Sequence, residues 1–184
     1  MVLATRRLLC FLLVKRSRLN QLQETHRAPT SNVRMRLTAT LFVASLLHDL
    51  AWSPEYDQDD KVDFEVAGAQ HALQFCKEHG LSGHRSRVIH EMIALHTSPN
   101  RLRALPPEVH LVSQGAGVDV AGFYAEEVHP STLKSVVKAH PRHSFKRQCC
   151  HLMHEQCRRK PDSHIAGWCS MGFLQLVQAG PFDE

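Results

Sequence analysis

Apolar residues in this chain recur at the spacing of a helix, and this most restricts what it can fold into. Ile89, Met92, Ile93 and His96 fall at i, i+3, i+4 and i+7, one face of an α-helix. Leu41, Ala44, Leu47 and His48 share a face in the same way. So do Phe64, Ala67, His71 and Phe75, then Val112, Ala116, Asp119, Val120 and Phe123. Leu133, Val136 and Val137 make a shorter stripe, and Phe145, Cys149, Leu152 and Met153 make the last clear one. No period-two run bounded by turn residues stands beside them, so no strand is predicted. The pattern predicts an all-α fold, one compact helical domain.

Proline and glycine punctuate these stripes. Pro29, Ser31 and Asn32 mark residues 20–35 as a loop, and a helix starts near Leu37. Ser53-Pro54 closes it, because the residue before proline is pushed out of the helical region. Asp63 reads as an N-cap, and Gly80 as a left-handed C-cap with Leu81 folding back behind it. Pro106-Pro107 and Pro130 sit where proline is accepted, in a first helical turn. The expected division is a divergent or poorly ordered segment over 1–35, a helical domain over 36–170 and a C-terminal tail over 171–184.

Bulk properties exclude several function classes. A chain of 184 residues suits one domain able to bury a sizeable core. The net charge of +4 is too mild, and the basic residues too scattered, for a nucleic-acid face. The apolar run Leu8–Val14 is far short of the roughly 20 residues that span a bilayer. Lys15-Arg16-Ser17-Arg18 behind it is wrong for a secretory cleavage site. An amphipathic first helix or a loose tail is the plainer reading; a basic, acid-poor start also suits organelle import. The six cysteines form no CxxC pair, which predicts reduced thiols and a cytoplasmic or other intracellular setting. Self-association is left open.

Three ionisable positions fall on faces that should be buried: the doublet His48-Asp49, His96 and Asp119. A lone aspartate among valines and alanines is costly unless it is paired or binds a cation. Carboxylate with imidazole suits a divalent metal that acts as a Lewis acid. Cys150, His154 and Cys157 form a rival zinc face at i, i+4 and i+7. All its ligands would come from one helix, so small cysteines in a core stripe is the better reading.

These residues stand in a longer pattern. "ASLLHDLAW" is followed by "FEVAGAQHALQF", "VIHEMIALHTS", "PPEVHLVSQGAGVDVAGF" and "PRHSFKRQ". In order and spacing this resembles the HD superfamily of metal-dependent hydrolases, nearest the cyanamide-hydratase-like branch, over about Leu41 to Ser163. The resemblance implies that His48 and Asp49 bind a metal and that Asp119 closes the site. It implies that His96 lines the site, binding substrate or moving a proton, with Glu65 behind it or in the pocket wall. The family also carries a first histidine on an earlier helix. Only His26 precedes the doublet, and it is the candidate for that metal ligand, swinging in from a loop, since its proline-containing context does not read as helix.

The expected activity is therefore a metal-dependent hydrolase or hydratase. It would hold one divalent ion (zinc, iron, manganese or magnesium) and activate water against a small molecule. Two other readings use the same residues. One is a degenerate HD domain kept as a binding or structural module. The other is a nucleotide or phosphate-ester phosphohydrolase, which would need a basic pocket built from Arg85, Arg87, Arg101 and Arg103.

Overall fold

The computed structural model describes residues 31–81, 83–98, 105 and 107–182. Among the described residues, eight α-helices and two short 3-10 turns make up the regular structure, and there is no strand. Helix α1 spans Ser31–Leu47 and leads through His48-Asp49 into a 3-10 turn at Leu50–Trp52. Helices α2 (Phe64–Glu78) and α3 (Gly83–Ala94) form a hairpin, and α4 (Pro107–Ala121) crosses back over α1 and α3. After a 3-10 turn at Ala125–Glu127 come α5 (Pro130–Ala139), α6 (Phe145–Arg159), α7 (His164–Ser170) and α8 (Phe173–Ala179). No helix among the described residues is long and apolar enough to cross a membrane.

Local chemistry accounts for most boundaries. Gly80 has φ +71°, and Leu81 N–H reaches back to the Cys76 carbonyl at 2.9 Å, which ends α2 in a Schellman turn. Pro107 and Pro130 open α4 and α5. Two boundaries differ from the sequence reading. Residues 31–35 lie within helix α1 and are not loop. Arg34, Met35 and Arg36 are good helix formers. Residues 173–179, expected in a tail, form α8, whose Val177 is fully buried.

Two apolar cores flank the site. The first lies between α1, α2, α3 and α4 and includes Leu41, Ala44, Ala72, Ile89, Met92 and Val112. Burying each larger aliphatic side chain contributes about 1.5–3 kcal/mol. The second joins the Leu50–Trp52 turn to α6, α7 and α8 through Trp52, Phe64, Phe145, Met153, Ile165 and Val177. Helix α2 is rotated from its expected face. Gly68, Ala69, Ala72 and Cys76 are buried, while Phe75 is exposed and stacks on His79. Small residues let α2 come close to its neighbours. A Cβ at Gly68 would make van der Waals contact with Ala51, 3.7 Å from its Cβ, beneath the turn that follows the doublet.

A buried ionic clamp ties the acidic loop to the end of α6. Asp57 accepts from Gln156 Nε2 at 2.7 Å and Arg159 Nη1 at 3.1 Å, and it pairs with the buried Lys160 ammonium. Lys160 also donates to the Val62 carbonyl. The loop between doublet and α2 is thereby fixed at both ends.

Candidate metal centre

The centre begins where α1 stops. His48 and Asp49 lie just beyond its last residue, and Asp49 has φ −104° and ψ 20°, between helical and extended geometry. That change of direction lets two adjacent side chains face one place, which successive positions of a continuous helix, about 100° apart, do not. His96 arrives from the turn after α3, at the end of the Ile89–Met92–Ile93 stripe. His48, Asp49 and His96 each offer an atom within 4.8 Å of the other two. His48 Nε2 is 3.1 Å from Asp49 Oδ2, and His96 Nε2 is 3.6 Å from Asp49 Oδ1. Donors around a tetrahedral ion with bonds near 2.0–2.1 Å stand about 3.3 Å apart, so these spacings suit one small cation.

The hydrogen bonds set which atoms are offered. His48 Nδ1 lies 2.9 Å from the Ser45 carbonyl, and His96 Nδ1 lies 2.6 Å from the Ile93 carbonyl. A carbonyl only accepts, so both Nδ1 atoms carry the proton and both Nε2 atoms point inward. In their neutral forms two bare nitrogens then face a carboxylate. That arrangement needs a cation, or protons, between them. This is the second-layer bonding that fixes metal-ligating histidines. Trp52 Nε1 donates to Asp49 Oδ1 at 2.8 Å and holds the carboxylate in place.

The electrostatics agree. Burial pushes the Asp49 carboxyl up, but His48, by charge and hydrogen bond, and then His96 prevail and hold it well below the usual range. Burial opposes charge on His96, yet Asp49 and then Glu65 raise it above an ordinary imidazole. Glu65 is buried beneath His96, and burial raises its carboxyl against the opposing pull of His96 and of the Thr97 hydroxyl bonded to it. Its second oxygen, Oε2, has no hydrogen-bond partner among the described residues. Phe64 sets its ring edge-on to His96, with centroids 5.7 Å apart.

Asp119, expected to close the site, is not brought to this group. Arg142 donates to its carboxylate through Nη1 and to its carbonyl through Nη2 at 2.8 Å, and both side chains are buried. The guanidinium lies over the rings of Phe145 and Phe182. The reason is helical phase. Gly117 lines the cavity beside the centre, and two residues on, about 200° round the helix, Asp119 faces away. The α4 residues that line the cavity are His110, Ser113, Gln114, Ala116, Gly117 and Val120. His26 lies outside the described residues. The rival cysteine face does not gather into a ligand group among the described residues: Cys150 is buried and His154 exposed.

His48, Asp49 and His96 stand at a cavity of about 790 Å³, walled mainly by apolar and aromatic side chains. Two contributors were missed in the sequence. Trp52 anchors the carboxylate from three residues downstream, a spacing visible in "HDLAW". Arg142 was signalled only by the need of a buried aspartate for a cation. Neither a scan against protein-family models nor a search of curated proteins finds a match to this chain.

Proposed function

We propose that this chain is a metal-dependent hydrolase or hydratase of the HD superfamily, nearest its cyanamide-hydratase-like branch, acting on a small molecule. The observation that carries the reading is the convergence of two imidazole Nε2 atoms and a carboxylate at a ligand-sized cavity. The donor set fits a divalent first-row ion. When bound, such an ion supplies Lewis acidity, which polarises the substrate and makes water easier to ionise. His48, Asp49 and His96 would hold it, leaving the cavity side open, as three-ligand catalytic sites do.

The chain's own residues divide the remaining work. Ser45 and Ile93 carbonyls keep each imidazole in one tautomer and orientation. Trp52 keeps the carboxylate from turning away. Glu65 sits behind His96 and favours positive charge on that ring, so it positions and tunes His96 and does not line the cavity. His110, Ser113 and Gln114 supply polar groups elsewhere in the wall that can orient a substrate by hydrogen bonds.

A second reading, a binding domain without turnover, draws on the engagement of Asp119 by Arg142, which leaves three described protein donors. Elemental analysis of protein purified without chelator tests the centre. The expected result is about one divalent ion per chain, lost in His48→Ala and in His96→Ala and kept in the exposed control His71→Ala. No ion in the parent protein would refute the reading. An ion without conversion of any small nitrile or amide would favour the binding domain.

A further inference from the structure

The metal centre and its cavity leave one strongly basic stretch of the chain without a role. From Val128 to His154 the sequence holds five lysines and arginines and five histidines, and no aspartate or glutamate. Packing gathers part of this stretch on one surface. Arg147, Cys150, His151 and His154 fall at i, i+3, i+4 and i+7 of α6, one face of that helix. With Lys146, and with Gln178 of α8, they line a groove of about 500 Å³. Helix α6 turns its opposite side to the aromatic cavity, through Gln148, Cys149, Leu152 and Met153. The groove is therefore a second concavity, across α6 from the cavity.

The first turn of α6 points the same way. Lys146 and Arg147 stand there without an acid, although the positive end of a helix favours negative charge. The N-cap residue, Ser144, is left-handed at φ 45° and makes no side-chain cap; its hydroxyl accepts from Gln148 Nε2 at 3.0 Å instead. Two cations and a helix start thus repel one another at one end of the groove. An anion seated there would relieve all three.

The lining restricts which anion. Lys146 and Arg147 bring positive charge, and Gln178 brings an amide. His151 and His154 donate an N–H when neutral and add charge when protonated. Arg147 and His154 are seven residues apart, about 10 Å along the helix axis, so one carboxylate would meet one end and leave the other unserved. No acid is among the described lining residues. Glu155, the next acid along α6, is paired with Arg158 at 2.8 Å, within reach of the His151 charge. Helix α8 carries no titratable side chain.

We propose that the groove between α6 and α8 binds a small anion bearing at least two phosphate groups, held by Arg147, His151 and His154 with Lys146 at the helix start. The inference is independent of the metal centre and of the hydrolase reading.

Calorimetry of the full chain at neutral pH and constant ionic strength measures binding of inorganic pyrophosphate, orthophosphate and acetate, and of a single-stranded oligonucleotide. The expected result is about one pyrophosphate per chain, bound at least about tenfold more tightly than orthophosphate or acetate. Arg147 and His154 are exposed, so the double variant Arg147→Gln/His154→Gln should keep the parent's melting temperature. It should weaken pyrophosphate at least about tenfold. Lys134→Gln, which removes an exposed cation of α5, should leave binding unchanged. So should His48→Ala, which separates the groove from an anion held by metal at the centre. Absence of saturable binding would overturn the inference, as would pyrophosphate binding no tighter than that of orthophosphate. Binding that persists in the double variant, or that is lost in His48→Ala, would overturn it too. An oligonucleotide that binds more tightly than pyrophosphate would replace it with a nucleic-acid face.

Discussion

Replacing Asp119 by asparagine separates two roles that look alike in sequence. In this structure its carboxylate neutralises Arg142, whose side chain is 2% exposed. Asparagine keeps the shape, so the α4 backbone need not move. The guanidinium would lose the charge of this carboxylate while held over the rings of Phe145 and Phe182. Removing one member of a buried ion pair costs about 3–5 kcal/mol, because the other charge stays buried. For a domain of this size each kcal/mol is worth about 2–4 °C, so the melting temperature should fall by about 6–20 °C. Metal content should not change. Adding Arg142→Met to Asp119→Asn should recover part of the loss, since no unpaired charge remains. Urea denaturation of the parent, both single variants and the double variant measures the coupling, with elemental analysis on the same samples. Loss of the ion from Asp119→Asn with stability within about 1 kcal/mol of the parent would refute the assignment and make Asp119 a ligand.

The metal-free protein and the metal-loaded protein should respond to pH with opposite slopes. His96 is raised in the folded state, so its contribution is complete below the unfolded imidazole value and is lost as pH rises through the raised one. Asp49 is lowered, so its contribution is present above the unfolded carboxyl value and is lost only on acidification. With chelator, thermal stability should therefore decline from mildly acidic to alkaline pH. With saturating metal it should rise over the same range, because protons no longer compete for Nε2; parallel slopes in a melting series would rule this out. Lys160→Met should cost about 3 kcal/mol by leaving Asp57 short of a buried partner, and should open the 53–63 loop to limited proteolysis. An unchanged cleavage pattern would mean that Gln156 and Arg159 alone secure the loop.

Helix type, and most helix ends, depend on residues near in sequence, and these were legible. The Ile89–Met92–Ile93 stripe, the Gly80 stop and the prolines at 107 and 130 act through backbone torsions and a 3.6-residue period. Both are local properties of the chain. The doublet His48-Asp49 was legible for the same reason, since it stands where one helix signal ends. The face that α2 buries was not. Phe75 has the stronger apolar signal, but the close approach of the turn at Ala51 favours small Gly68, Ala69 and Ala72 instead. That choice belongs to the partner surface and not to α2.

The same limit governs the centre. The sequence placed His96 on a buried face and left Asp119 with two ways to be satisfied, a cation from a metal or one from a side chain. Only the packed structure chose. It brought His96 across from the far end of α3 to meet Asp49, and it turned Asp119 toward Arg142, 23 residues away. Helix periodicity tells which residues must be covered. It carries no information on the distance between groups far apart in the chain, and ion pairs and metal ligation depend steeply on that distance.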